Sequence, residues 1–225
     1  MAAFQPYKQS PAHRALNKLG AHWGCAEAWR IPEYFTSPSA EWQSVASAVG
    51  LSDLSHIGKV ELTGFELEET LPSRLGLRAL PAIGLGSVSG ARAFYRFTHE
   101  QLLACVSEDE VKELQVWGAA GRCVHVTERT SGLACFLLAG PRSVDLLNQL
   151  SSLDLRDSRF PDLACTRAPL AQVNARVARR DRQGVRAYYI FVGREYGEYI
   201  WEALWHTGEK FGIAAVGSEA LRADA

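Results

Sequence analysis

The stretch from Val49 to Gly64 does most to limit what this chain can fold into. Lys59-Val60-Glu61-Leu62-Thr63 alternates polar and apolar residues at period two, which predicts a half-buried strand, and Gly64 punctuates its end. Phe65 to Leu75 follows as a helix, with Glu66, Glu68 and Glu69 near its N-terminus, where carboxylates complement the helix dipole. The same order returns downstream. Ala134 to Ala139 is an apolar strand, Gly140 ends it, and Pro141 to Leu150 reads as a helix. Leu71 and Leu147 each fall seven residues after their glycine. A strand–glycine–helix pattern used twice predicts two related α+β units.

The other segments fit that class. Ser10-Pro11 reads as a cap with proline in the first turn of a short helix over Ala12–Leu19, ended by Gly20. Trp23, Trp29, Ile31, Tyr34 and Phe35 follow at irregular spacing around Pro32, and serve equally as a ligand slot or a packed arm. Ser39–Val49 regains helical periodicity, and residues 76–93 read as a loop rich in Gly, Ala and Ser. Ala93–Phe97 and Gln101–Val106 predict a hairpin, and Ser107 with Glu110 gives capping-box spacing for a helix to about Trp117. Ala171–Arg179 and Arg186–Val192 predict a second hairpin, followed by a helix over Glu195–Thr207 with Gly208 as its C-cap. Hairpins mixed with strand–helix units predict α+β, not a doubly wound sheet.

Composition narrows the function classes. Lys plus Arg total 24 and Asp plus Glu 25, for a net charge of −1, so no global field draws the chain to nucleic acid or anionic membrane. No apolar run approaches a membrane span, and Met1–Pro6 lacks the basic-then-apolar order of a secretory signal. The five cysteines form no Cys-x-x-Cys pair and sit among apolar neighbours, which predicts buried reduced thiols and a cytoplasmic setting. His and Cys show no metal-ligand spacing, and no glycine-rich nucleotide loop is present. Between Gly50 and Gly64 lies a polar island, Ser52-Asp53-Leu54-Ser55-His56. Asp53 and His56 are its candidates for chemistry, and the alternative is a side-chain-to-backbone turn that rigidifies the loop.

Gly50 to Gly64, written GLSDLSHIGKVELTG, resembles the "G-(F/L)-x-D-x-S-x-x-G-x-(V/I)-x-(V/L)-x-G" stretch of the glycine cleavage T-protein family of folate-binding aminomethyltransferases. Leu19-Gly20-Ala21, Trp29 to Tyr34, Tyr95-Arg96-Phe97-Thr98, Leu138 to Pro141 and Val216 to Ala225 are similar to further segments of that family in the same order. The resemblance implies a T-protein-like fold of two interleaved α+β subdomains, residues 1–55 with 122–225 and an inserted 56–121. It also implies a tetrahydrofolate site, no metal, and a small amine or methyl donor as co-substrate. Carried over by position, Tyr95, Tyr188 and Arg222 become the folate-binding candidates, with Asp53 and His56 as catalytic ones.

Two departures shape the functional expectation. Gly86 to Phe94 stands where the family carries an aspartate-bearing segment, and it holds no carboxylate. The hairpin positions of the family glutamates are Val185 and Tyr189. The chain matches the family's N-terminal region, without its C-terminal β-domain, and is similar in length to the gamma-type subunits of sarcosine oxidases. These features imply a degenerate or accessory folate-binding subunit of one-carbon metabolism, with a protein partner or a second copy covering exposed surface. An active folate-dependent aminomethyl- or methyltransferase and a scaffold that binds no folate are the alternatives.

Overall fold

The computed structural model describes residues 8–120 and 123–222. The expected boundary at 121/122, the reading of Met1–Pro6 and the last three residues of the Val216–Ala225 match lie outside the described residues. In chain order the elements begin with β1 (Lys8–Gln9), α1 (His13–Lys18), β2 (His22–Ala26), β3 (Trp29–Tyr34), α2 (Pro38–Ser47), β4 (Val49–Asp53) and β5 (Gly58–Thr63). Next come α3 (Leu67–Leu75), β6 (Gly86–Ser89), β7 (Arg92–Thr98), β8 (Gln101–Val106), α4 (Glu108–Gly118), β9 (His125–Glu128) and β10 (Leu133–Ala139). The chain continues through α5 (Ser143–Leu150), β11 (Cys165–Leu170), β12 (Val173–Arg179), β13 (Ala187–Gly193), α6 (Gly197–Gly208), β14 (Ile213–Ala215) and α7 (Ser218–Arg222).

Two sheets form the body. One has the order β11-β12-β13-β10-β4-β14 and the other β6-β7-β8-β5-β9, while β1-β3-β2 makes a small third sheet. The period-two patterning decides what each face meets. In β10, Ala134, Phe136 and Leu138 enter a core shared with α1, α5 and α6, through Leu16, Leu146, Leu147, Trp201 and Leu204. Cys135, Leu137 and Ala139 enter a second core with Tyr95, Phe97, Leu103 and Cys105 of the other sheet. Val60 and Leu62 of β5 face a third core beneath α3 and α4. The arrangement is therefore helices, sheet, sheet, helices. The hydrophobic effect closes three apolar layers, and each sheet is buried on both faces.

Local chemistry sets the element ends. The Ser107 hydroxyl accepts from the Glu110 backbone while the Glu110 carboxylate accepts from the Ser107 backbone, the capping box predicted from sequence. Ser37 accepts from the Ala40 backbone with Pro38 in the first turn of α2. Gly140 has φ 134°, and a Cβ there would meet the Ala48 carbonyl oxygen at 2.4 Å, so only glycine lets β10 turn into α5.

Several expectations need correction. Val49–Asp53, which spans the end of the expected helix and the start of the polar island, is a strand buried at every position and flanked by β10 and β14. Residues 76–93 contain β6, and the irregular aromatic segment is the β2–β3 hairpin. The last long helix continues past Gly208 through a 3-10 turn to Gly212, whose φ of 74° ends it. Gly208 is needed for packing, since a Cβ there would sit 2.5 Å from Ile213. All five thiols are free, but Cys25 and Cys123 are exposed, on the short third sheet and beside β9. His125–Glu128 pairs with β5 in the five-stranded sheet, whose strands all fall between Gly58 and Glu128.

Candidate functional site

The β4–β5 connection places the first two candidates. Asp53 ends β4 opposite Phe136 and is 5% exposed. Its Oδ1 accepts from the Ser55 backbone at 2.8 Å, and its Oδ2 is buried without a hydrogen bond. Burial raises the carboxyl above the usual range, against the Ser10 and Ser55 hydroxyls and the Lys59 charge, which favour ionisation. The Ser55 hydroxyl accepts from the Cys135 backbone at 3.1 Å, tying the turn to β10. Asp53 thus does the turn-forming work that was one of its two readings.

His56 lies at the edge of a different environment. Its Nδ1 is buried without a hydrogen-bond partner. Burial, reinforced by the Lys59 and Arg222 charges, lowers its pKa to about 4, so the ring is neutral at pH 7. His56 lines a cavity of about 500 Å³ with Trp29, Ile57, Val106 and Val111 on its apolar wall. Lys8, Glu27, Glu108 and Lys112 supply charge around it. Glu27 and Glu108 share a hydrogen bond, which raises the Glu27 carboxyl and lowers that of Glu108. Trp29 is 4% exposed, so one of the aromatics suspected of lining a ligand slot both packs in the core and walls this cavity.

From the sequence pattern, Lys59 is one polar step of an alternating strand. Its side chain is fully buried in the layer between the two sheets. Nζ donates to the Ser55 carbonyl at 2.9 Å and the Ile57 carbonyl at 2.7 Å, so it clamps the turn that carries His56. Desolvation lowers its pKa. Period two told which face Lys59 shares with Glu61; it carried no sign that a second sheet covers that face.

The three binding candidates are not brought together. Tyr95 of β7 is 1% exposed between the sheets, 6.1 Å from the Phe191 ring, with its hydroxyl buried and unpaired. Tyr188 points from β13 to the opposite, helix-covered face, stacked 6.4 Å from Phe160. Its neighbour Tyr189 shares the inter-sheet layer with Tyr95. A strand's alternation separates them, since adjacent residues must face opposite ways. Burial raises the pKa of both Tyr95 and Tyr188. Arg222 is exposed at the end of α7, and its charge reaches His56. The β6–β7 segment carries Arg92 instead of a carboxylate, and this guanidinium pairs with Glu110 at 3.6 Å. Among the described residues no helix is long and apolar enough to cross a membrane, and no group of His, Cys, Asp and Glu is placed to hold a metal.

With the geometry in hand, the chain can be set beside known proteins. It is 27% identical to the aminomethyltransferase of Saccharopolyspora erythraea over 93% of its own length and 60% of that protein's. It is 26% identical to the sarcosine oxidase subunit alpha of Rhizobium meliloti, over 97% of this chain and 25% of that one. The fold matches the glycine cleavage system aminomethyltransferase T of Bartonella henselae with a TM-score of 0.77 at 19% identity, covering 95% of this chain and 60% of the other. It also matches a chain of the heterotetrameric sarcosine oxidase of Corynebacterium sp. U-96, solved with pyrrole 2-carboxylate. There the TM-score is 0.70 at 17% identity, over 93% of this chain and 98% of that chain. The chain thus spans about 60% of the length of the aminomethyltransferases it matches. Residues 92–224 match the GCVT N-terminal domain, a segment that starts beyond the Gly50–Gly64 stretch on which the sequence resemblance rests, and the chain belongs to that family.

Proposed function

We propose that this protein is a tetrahydrofolate-binding, T-protein-like accessory subunit of one-carbon metabolism, working with another protein chain in the cytoplasm. The observation that carries this reading is the cavity beside His56. Its volume of about 500 Å³ suits a folate-sized ligand, and Trp29 with Ile57 and Val111 offers an apolar wall for a pterin ring. The neutral His56 ring, with Nδ1 unpaired, supplies a hydrogen-bonding group without charge. The carboxylate expected to serve catalysis, Asp53, is buried and held by the Ser55 backbone, and Gly86–Phe94 contributes no acid. Neither Asp53 nor Gly86–Phe94 thus brings a carboxylate to the His56 cavity, which favours a ligand-holding subunit over a transferase. The partner is supported by the match to nearly the whole of one chain in a heterotetrameric enzyme.

One observation favours an active folate-dependent aminomethyl- or methyltransferase instead. Glu27 lines this cavity with its carboxyl raised by Glu108, which makes it the candidate general acid for a small amine or methyl donor. Titration calorimetry with 5-formyltetrahydrofolate, together with a one-carbon-transfer assay using tetrahydrofolate as acceptor, separates the readings. Micromolar binding, about 8 kcal/mol, that weakens at least tenfold in His56→Ala and supports no turnover fits the accessory subunit. Turnover that Glu27→Gln abolishes would establish the transferase, and a folded chain that ignores folate would leave a scaffold.

A further inference from the structure

A second cluster lies away from His56, where β11 and β12 meet the five-stranded sheet. Arg167 and Arg176 are direct cross-strand partners, a like-charge pairing that destabilises a sheet unless something offsets it. Arg129, which follows β9, joins them around the single carboxylate of Glu61. Glu61 accepts from Arg176 and from the Gln101 amide, and the Gln101 carbonyl oxygen accepts from Arg167. Arg129 Nε stands 3.7 Å from Glu61, beyond hydrogen-bond reach. Three guanidinium groups against one carboxylate leave an excess of two positive charges.

That excess is partly desolvated. The Arg176 side chain is 16% exposed and Glu61 13%. Arg176 Nη1 and Arg129 Nε are buried and donate to nothing. Burial, aided by the Arg167 and Arg129 charges and opposed by Glu61, pulls the Arg176 pKa down. The Arg176 guanidinium also lies 5.7 Å from the centre of the Phe97 ring. Arg129, Arg167 and Arg176 line a cleft of about 420 Å³ together with Asn174, Phe191 and Gly193. Planar guanidinium groups with uncompensated charge, gathered at one cleft, suit the geometry of carboxylate and phosphate.

We infer that this cleft binds a small oxyanion carrying two or more negative charges, either inorganic phosphate or a short dicarboxylate. The inference does not depend on the folate reading. Arg129 and Arg167 would supply charge from the rim and Arg176 the buried fork, with Glu61 holding Arg176 in place. The test is calorimetry of the whole chain with phosphate and, separately, with glutarate, at ionic strength held constant with sodium chloride or acetate. A saturable response to one of them names the ligand class, and at least a fivefold loss of affinity in both Arg129→Ala and Arg167→Ala assigns it to this cleft. Both positions are accessible enough for the variants to fold, which their own thermal transitions verify. No saturable response, one matched by the monoanions, or one unchanged in both variants would overturn the inference. So would a response confined to poly-aspartate, which would make the cleft a docking face for an acidic protein.

Discussion

The two strand–glycine–helix units, β5–Gly64–α3 and β10–Gly140–α5, have one plan and different contents. Both strands are flanked on each side by neighbours, and both present one apolar face to helices. Toward the layer between the sheets they diverge. β10 contributes Leu133, Cys135, Leu137 and Ala139, whereas β5 contributes Lys59, Glu61 and Thr63. Buried polar groups are costly unless partnered, and the two charged side chains of β5 have partners. Lys59 caps two carbonyls, and Glu61 gathers arginines. The first unit thus places polar chemistry between the sheets while the second provides the wall against which it is held.

The shared plan is tested most severely at the glycines. A Cβ at Gly64 would meet the Cys123 carbonyl oxygen at 2.3 Å, and one at Gly140 the Ala48 carbonyl oxygen at 2.4 Å. Since φ is 154° and 134° at these sites, alanine is strained at both. Gly140→Ala and Gly64→Ala should each lose about 4 kcal/mol of stability. Denaturant unfolding checks this, and a large loss at only one position would break the equivalence of the units.

Acid sensitivity should divide the units next. The native His56 ring stays neutral down to about pH 4, whereas the unfolded ring takes its proton near 6.5. Stability is therefore lost as pH falls from 6.5 to 4, by at most about 3 kcal/mol. Asp53, with its native pKa raised, works the other way and adds some stability on the acid side. His56→Gln should flatten the pH–stability curve in this window, and a curve of unchanged slope would remove His56 as its source.

A smaller effect distinguishes the inward faces. Lys59→Met keeps the length of the stem but leaves the Ser55 and Ile57 carbonyls without their donor, at a cost of about 2 kcal/mol. Leu137→Met, facing the same layer from β10, should cost under about 1.5 kcal/mol. Thermal unfolding that shows equal losses would mean that the β5 side is no more dependent on its polar contacts than the β10 side.

Much of this molecule was legible along the chain. Period-two and helical patterns, glycine punctuation and the Ser107–Glu110 spacing depend on contacts within a few residues, so they mark β5, α3, the β7–β8 hairpin, α4, β10, α5 and the β12–β13 hairpin without knowledge of the rest. The Gly50–Gly64 motif likewise indicated the T-protein resemblance. Contacts distant in sequence were not legible. β4 is a strand because β10 and β14 flank it, and β9 joins the five-stranded sheet through β5 across more than sixty residues of chain, from Thr63 to His125. The same holds at the sites. Sequence offered Asp53, His56, Tyr95, Tyr188 and Arg222 as points on a line. Packing made Asp53 a buried turn anchor, left His56 at a cavity wall and turned Tyr188 away from Tyr95. Alternation fixes which residues share a face. Only the second sheet decided that the face bearing Lys59 and Glu61 meets protein instead of water, because what covers a strand comes from chain far from it in sequence.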